Sequence, residues 1–333
     1  MTQARAFWTV AAGIGELRAE TLPAPGPNEI IVRALASGIS RGTEATVFAG
    51  RVPPSQYEAM RAPLMAGSFP FPVKYGYACV GAAPDGARMF VLHPHQDIFC
   101  APSAMCVPVP DAVPTERAVL AANMETALNI VWDAQPLAGE RLLVIGAGVV
   151  GLLTASLLAK LPAAQVTVVD IDPSRAAMAA KFGCAFATPE TAPRDQEKII
   201  DASGSEAGLR LALACAGFEA TIVEASWFAD RMPALPLGEA FHPRRLRLIS
   251  SQVGSVAAPM RGRRSHRERL AIALALLADA AFDALLEPAT DFAELPTAMP
   301  RLLRGGLCHV VRYRPGSRPR PPQKGGAEAP PSL

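Results

Sequence analysis

The sequence has few cysteines and no long apolar run. Its six cysteines are scattered with no CxxC pair, which argues against a disulfide framework or a structural zinc knuckle. The longest apolar runs, such as LLTASLLA, are too short to span a bilayer, and the N-terminal MTQARAFWTV lacks an apolar core of secretory length. We therefore expect buried cysteines and a cytoplasmic protein with no membrane partner.

The sequence also lacks a strong excess of charge of either sign. Of its 333 residues 19% are charged and the formal net charge is +2, so nothing requires nucleic acid as a partner. Half of the residues are hydrophobic, and the length is sufficient for two domains. The final PGSRPRPPQKGGAEAPPSL has too little apolar content to pack, which predicts a disordered tail over 316–333.

Two kinds of pattern follow one another along the chain. Before about residue 140, short apolar runs such as EIIVRALA and ARMFVLH alternate with spacers rich in proline and glycine, which predicts a β-rich domain. Beyond it, RLLVIGAG, QVTVVDID, EKIIDAS and EATIVEAS each begin with a strand, and helical segments separate them. This alternation predicts an α/β part with a doubly wound parallel sheet, to which LRLISS adds a further strand. A long helix and a final strand, CHVVRYR, follow.

A glycine-rich turn, GAGVVG, follows the first strand of the α/β part. Gly146 allows a tight turn, Gly148 lets a pyrophosphate approach the backbone, and Gly151 lets helix and strand pack closely. Val149 and Val150 stand at the start of the helix, whose unpaired N–H groups attract an anion. The pattern predicts dinucleotide binding, with a Rossmann-like fold that binds no dinucleotide as the alternative.

Three further positions belong to the predicted cofactor site. Asp170 ends the next strand, where a carboxylate accepts ribose hydroxyls and repels a 2′-phosphate, so NAD(H) is favoured over NADP(H). Arg175 nearby works against that preference, and Asp170 could instead be a helix-capping acid. Ser203 ends EKIIDAS and follows its strand; it is expected to contact the cofactor through its backbone, unless it forms a plain strand-to-helix turn.

The stretches ELRAETLPAPGPNEIIVRALASGIS, FPVKYGYACVG and RLLVIGAGVVGLLTASLLA with VTVVDIDPSR resemble the medium-chain dehydrogenase/reductase superfamily in order and spacing. The resemblance implies a GroES-like β-rich catalytic domain over 1–122, a Rossmann domain over 123–262, and a return of 263–315 to the first domain. GISRGTEATVFAGRVP followed by YGYACVG is similar to the zinc-less branch that includes the bacteriochlorophyllide dehydrogenases. Dimers through Rossmann edge strands are common in the superfamily, so we expect a homodimer, with TIVEASWF as the edge.

The chain departs from the zinc members of that superfamily. Ser40 stands where they have a cysteine ligand, and Tyr77 and Ala78 replace the His-Glu pair that follows a glycine. Zinc prefers thiolate and imidazole, so we expect no catalytic zinc. Glu125 matches a carboxylate ligand of the polyol branch, and VLHPHQDIFCAP replaces the lobe that binds structural zinc. The histidines and the cysteine of that run are either a metal site or hydrogen-bonded loop residues.

Hydride transfer to a carbonyl creates alkoxide character that a donor must stabilise. The resemblance places Tyr77 and Ser40 in the pocket of the former zinc ligands. We predict Tyr77 as general acid, Ser40 or Thr43 as the residue that orients the substrate oxygen, and Lys74 as an alternative donor. The alternative is that Tyr77 lines the pocket wall and Ser40 only fills space.

Several charged residues surround these positions in the sequence. Arg41 matches a family position near the cofactor pyrophosphate, with an exposed loop arginine as the alternative. Glu125 is expected to hold Lys74 or Arg41, because a buried carboxylate needs a partner. The run MRGRRSHRERL offers guanidinium groups that fit an acidic substrate or form a solvated helix start; they are Arg261, Arg263, Arg264 and Arg267.

These observations together favour an enzyme. We expect an NAD(P)(H)-dependent oxidoreductase that interconverts an alcohol and a carbonyl on a small or medium organic substrate, without zinc. One alternative is an enone or quinone reductase, whose substrate delocalises the incoming charge. Another is a catalytically silent dinucleotide-binding sensor or assembly partner.

Overall fold

The computed structural model describes residues 2–314, so the tail predicted over 316–333 lies outside the described residues. The first part contains β1 (Thr2–Ala11), β2 (Ile14–Leu22), β3 (Glu29–Ile39), α1 (Arg41–Phe48), β4 (Ala66–Gly67), β5 (Val73–Lys74), β6 (Cys79–Ala82), β7 (Arg88–Val91), β8 (Ile98–Pro102), β9 (Val107–Pro108) and α2 (Thr115–Ala118).

The remaining elements fall into an α/β series and a final segment. The series contains α3 (Ala121–Ala134), β10 (Arg141–Ile145), α4 (Val149–Leu158), β11 (Gln165–Val169), α5 (Ala176–Lys181), β12 (Ala185–Ala187), β13 (Gln196–Asp201), α6 (Glu206–Cys215), β14 (Ala216–Glu224) and β15 (Arg247–Ser250). The final segment contains α7 (His266–Leu276), β16 (Leu286–Asp291), α8 (Leu295–Leu302) and β17 (Cys308–Arg312).

The β-rich part consists of two sheets. One has the order β2-β1-β5-β4, and the other has the order β16-β17-β3-β6-β7-β9, with β8 also pairing with β3. Strand β17 pairs antiparallel with β3, so that Val311 lies opposite Ser37. The last described strands therefore complete a sheet that the first part begins.

The α/β part is a parallel sheet with helices on both faces. Its strand order is β12-β11-β10-β13-β14-β15. Along β10, Leu142 and Val144 pack in the core that includes α3 and α4, whereas Leu143 and Ile145 pack in the core that includes α6. Side chains alternate across a strand, so a strand buried on both faces reads as a continuous apolar run. The predicted fold class, a β-rich domain plus a doubly wound parallel sheet, is confirmed.

The edge of the parallel sheet differs from the prediction. Strand β14, which contains the first four residues of TIVEASWF, lies between β13 and β15, with Glu224 opposite Asp201 on one side and Ser250 on the other. The prediction of TIVEASWF as the edge strand is wrong, because Arg247–Ser250 adds one more strand beside it. The exposed edge on this side is β15.

Two further expectations concern the cysteines and membrane-spanning helices. All six cysteines are free, and Cys100 is the one that is not buried. In residues 2–314 no helix has both the length and the apolar character needed to cross a membrane.

Candidate active site

The glycine-rich turn lies between β10 and α4. Gly146 has φ +99°, and a Cβ on it would lie 2.9 Å from the carbonyl carbon and oxygen of Ala202, so a larger residue does not fit. A Cβ on Gly151 would meet the carbonyl oxygen of Gly146. Around Gly148, the N-cap of α4, nothing lies within 4 Å of such a Cβ. The first-turn N–H groups of α4 are therefore open to an anion.

The side chain of Asp170 is hydrogen-bonded to this turn. Its Oδ2 accepts from the N–H of Ala147 at 2.6 Å, and its Oδ1 accepts from the N–H of Asp172 at 2.9 Å. Each carboxylate oxygen keeps a second lone pair for a ribose hydroxyl. The capping role that the alternative gave to Asp170 belongs to Asp172, which accepts from Ser174 and pairs with Arg175 at 3.4 Å.

The turn after β13 packs against the glycines. Ser203 donates its N–H to Asp201 at 3.0 Å, and its hydroxyl lies 3.0 Å from that of Ser205. The guanidinium group of Arg231 donates to the carbonyl oxygen of Gly204 at 2.6 Å. Sequence analysis missed Arg231, because it lies in an irregular loop where no periodicity marks it.

The structure brings Ser40, Thr43 and Tyr77 together. Tyr77 is half-buried, and loss of solvent around its phenol raises its pKa to about 12; the charge of Glu44 acts in the same direction. Hydrogen bonding by the hydroxyls of Ser40 and Thr43 acts against this shift. Asn123, which sequence analysis missed, donates to Ser40 Oγ at 3.2 Å. The result is a cluster of hydroxyl groups around a phenol that holds its proton.

A buried chain of hydrogen bonds supports this cluster. Glu44 accepts from the N–H of Ser40 at 2.7 Å, and its other oxygen lies 2.9 Å from His95 Nε2. His95 Nδ1 lies 2.7 Å from Ser37 Oγ, which lies 2.8 Å from the hydroxyl of Tyr313. His95 thus bridges Glu44 on α1 and Ser37 on β3 through its two ring nitrogens. No local pattern indicates partners so far apart in the sequence.

Lys74 is held outside the hydroxyl cluster. Its ammonium group donates to Glu20 at 2.8 Å and 3.1 Å, and to Gln96 at 2.8 Å. These three bonds use all of its N–H donors. Tyr77 is therefore a better candidate than Lys74 for the proton donor.

Glu125 forms a buried ion pair with Arg269, a residue that sequence analysis did not name. Arg269, on α7 and 1% exposed, donates to Glu125 at 3.0 Å and to Asn129 at 2.6 Å. Burial raises the pKa of Glu125, and Arg269 opposes the shift. The expectation that Glu125 holds Lys74 or Arg41 is wrong, because α3 packs against α7. Arg41 is exposed at the start of α1.

The histidines of VLHPHQDIFCAP do not gather around a common point. His93 stacks on Phe99 with ring centroids 3.6 Å apart, and burial lowers its pKa to about 3. His95 belongs to the hydrogen-bonded chain, and Cys100 donates to the carbonyl oxygen of Pro23. Within residues 2–314, no three His, Cys, Asp or Glu side chains form a group that could hold a metal ion.

The other four arginines of MRGRRSHRERL are exposed, and three of them donate to backbone carbonyl oxygens. Arg267 donates to the carbonyl oxygens of Ala104 at 2.7 Å and Cys106 at 2.9 Å. Arg261 and Arg264 donate to carbonyl oxygens of nearby residues in the same loop. Arg267 therefore joins α7 to the β-rich part through one nitrogen of its guanidinium group.

Comparison with known proteins identifies structures with a similar fold. No protein-family model matches the chain. A protein from Sinorhizobium meliloti described as a zinc-binding dehydrogenase, solved with NADP, superposes with a TM-score of 0.75 at 17% identity, over 94% of this chain and all of that one. The chain shares its fold with this protein and, at a TM-score of 0.75 and 15% identity, with benzyl alcohol dehydrogenase from Acinetobacter calcoaceticus.

Sequence relatives are also dehydrogenases. L-threonine 3-dehydrogenase of Rhizobium rhizogenes is 30% identical over 125 residues, which are 37% of this chain and 36% of that protein. Sorbitol dehydrogenase of Ovis aries is 26% identical over 247 residues, 64% of this chain and 69% of that protein. The first match thus spans about a third of the relative's length, and the second about two thirds.

Proposed function

We propose that this chain is an NAD(P)(H)-dependent oxidoreductase that interconverts an alcohol and a carbonyl on a small or medium organic substrate, with side-chain hydroxyls in place of catalytic zinc. The cluster of Tyr77, Ser40 and Thr43 carries the proposal, because it offers protonated donors where the resemblance puts zinc ligands. The names of the relatives, threonine and sorbitol dehydrogenase, are those of enzymes of hydroxylated small molecules.

The glycine turn and Asp170 fit a dinucleotide. The close packing at Gly146 holds the turn in place. The open space at Gly148 leaves room for a pyrophosphate at the first-turn N–H groups of Val149 and Val150. A bound nicotinamide cofactor supplies or accepts the hydride. Asp170 and its neighbour Asp172 carry negative charge that favours NAD(H), although a similar structure holds NADP.

Tyr77 is the proposed proton donor to the oxygen that becomes negative during carbonyl reduction. A pKa of about 12 keeps its phenol protonated at neutral pH. Ser40 accepts from Asn123 and hydrogen-bonds to Tyr77, so it is placed to orient a substrate oxygen beside the phenol. Glu44 fixes the backbone of Ser40. At neutral pH almost all of the phenol is protonated, and the protonated form is the one that donates to the oxygen of a carbonyl substrate.

The decisive experiment compares Tyr77→Phe with Tyr75→Phe, whose ring packs edge-on against Tyr77 at 5.9 Å. With NADH and a panel of aldehydes, ketones and enones, we expect Tyr77→Phe to lower kcat about 100-fold or more, because a general acid is lost. Tyr75→Phe should change kcat little. Cofactor fluorescence should give the same dissociation constant for NADH in all three proteins, since neither phenol is proposed to bind it.

Other outcomes would contradict this proposal. Full turnover by Tyr77→Phe would remove Tyr77 from the reaction. Turnover of enones without any turnover of aldehydes or ketones would favour the enone reductase. NADH binding without turnover of any substrate would favour the sensor. About one equivalent of zinc by elemental mass spectrometry, required for turnover, would overturn the zinc-free mechanism.

A further inference from the structure

Two carboxylic acids lie side by side at the carboxyl ends of β13 and β14. Asp201 and Glu224 are direct partners in the parallel register of these strands, and Asp201 is fully buried. Each uses one oxygen for its own turn: Asp201 Oδ1 accepts from the N–H of Ser203 at 3.0 Å, and Glu224 Oε1 accepts from that of Ser226 at 2.6 Å. Within residues 2–314, the second oxygen of each acid has only the other acid as a partner.

These inner oxygens need a hydrogen. Among the residues that the structure describes, neither Asp201 Oδ2 nor Glu224 Oε2 meets a donor, and both are buried. Two ionised carboxylates would repel each other and leave both oxygens unsatisfied. One proton between them removes both penalties, since a protonated carboxyl donates to an ionised one. Burial and the charge of Asp201 raise the pKa of Glu224 to about 8.

The pair lies beneath the turns that border the cofactor site. A Cβ on Gly146 would lie 2.9 Å from the Cα of Ser203, so the turn after Asp201 packs on the glycine turn. The turn after Glu224 joins it, because Ser226 Oγ accepts from the N–H of Gly204 at 2.9 Å. Ligands of open α/β sheets bind in the crevice at this end of the strands.

No cation neutralises the pair within the described part of the chain, where neither acid forms an ion pair. On β10 the register partner of Asp201 is the apolar Ile145. Asp133 on α3 lies near the end of β15, where it accepts from the hydroxyl of Ser251 at 2.7 Å. The guanidinium group of Arg231 donates to the carbonyl oxygen of Gly204, in the turn that follows Asp201. The neighbouring charges thus leave the negative pair without direct compensation.

We propose that Asp201 and Glu224 share one proton, and that this proton makes the affinity for the cofactor depend on the charge of the nicotinamide ring. The inference rests on the proposed binding of NAD(H), but not on the alcohol chemistry. The ring of NAD⁺ is positive and that of NADH is neutral, so NAD⁺ tolerates the doubly ionised pair better. As the pH rises and the proton leaves, the affinity for NADH falls more than the affinity for NAD⁺.

The shared proton is tested first in the cofactor-free protein by infrared spectroscopy, because a protonated carboxyl has a C=O band that a carboxylate lacks. Glu224→Gln keeps an acceptor for Ser226 and a donor for Asp201, so the turns are retained. We expect a carboxyl band near neutral pH that disappears as the pH passes about 8 and is missing in Glu224→Gln. Identical spectra of native protein and variant would overturn the proposal.

The link to the cofactor is tested by calorimetry with NAD⁺ and with NADH. Between about pH 6.5 and about pH 9.5, we expect the dissociation constant of NADH to rise about tenfold relative to that of NAD⁺. Glu224→Gln should remove this change, and so should Asp201→Asn, which keeps the acceptor for Ser203.

A constant ratio in the native protein, or the same rise in both variants, would overturn the link. A chain that binds neither cofactor would overturn the link together with the proposed function. The infrared band still reports on the shared proton in that case, so the two failures are distinguishable.

Discussion

At the scale of single residues, the surroundings decide what a side chain does. His93 and His95 stand two positions apart in VLHPHQD, and the sequence treats them alike. In the structure His93 stacks on Phe99, whereas His95 joins Glu44 to Ser37. Sequence analysis named both histidines but could not name their partners, because these come from other strands and helices.

The environment of His93 predicts a loss of stability in acid. Its pKa is about 3 in the folded protein and close to the ordinary 6.5 in the unfolded chain. Below pH 6.5 the unfolded chain therefore binds a proton that the folded protein does not, and the free energy of unfolding falls as the pH falls. We expect this residue to account for about 2–3 kcal/mol between about pH 6.5 and about pH 4.5.

Urea unfolding of the native protein and of His93→Gln over this range measures the effect. The variant loses the ring stacking and is less stable overall, but its stability should depend less on pH. His266→Gln, at an exposed histidine, is the matched control and should keep the native dependence. An unchanged dependence in His93→Gln would show that His93 is not held neutral.

At the scale of elements, the strand-turn-helix unit around GAGVVG was the most predictable feature. Its turn depends on glycine conformations and its helix on a nearby apolar run, so local sequence is sufficient. The position of β14 in the sheet was not predictable in the same way. LRLISS was recognised as a strand, but only the assembled sheet shows that it covers the edge of β14.

The two glycines of this unit should respond differently to alanine. Gly146→Ala introduces a Cβ at φ +99° and close to the backbone of Ala202, so we expect a loss of about 1–3 kcal/mol of stability and at least tenfold weaker NADH binding. Gly148→Ala meets no neighbour, so stability should stay native while the methyl group hinders the pyrophosphate.

Thermal unfolding and cofactor fluorescence separate these effects. Gly305→Ala, where a Cβ also meets nothing within 4 Å, is a control remote from the glycine turn. Native stability together with native NADH affinity in Gly146→Ala would mean that the turn can rearrange and that its tight packing is not required.

At the scale of the whole molecule, the two ends of the described chain form one sheet. Strand β17 lies between β16 and β3, and Val311 is fully buried in a core with Phe7 and Phe292. The resemblance implied such a return over 263–315. The exact boundaries of the domains stay a prediction.

The stability of this sheet should depend on the last strand. Val311→Ala removes two buried methyl groups, and we expect it to cost about 2 kcal/mol in urea unfolding. Arg312→Ala, at the exposed next position of β17, is the matched control and should change stability little. Equal stability of the two variants would mean that β17 contributes little to the core.

The sequence by itself determined the fold class and the glycine-rich turn, because these follow from periodicity and turn chemistry. Ser40, Thr43 and Tyr77 were singled out by the family resemblance, and their part in a reaction stays a prediction. The tertiary structure alone decided the partners of the buried charges. Glu125 and Arg269 are 144 positions apart, and Glu44 and His95 are 51 apart. A buried charge takes whichever opposite or hydrogen-bonding group the packing brings to it, and packing between distant segments leaves no pattern along the chain.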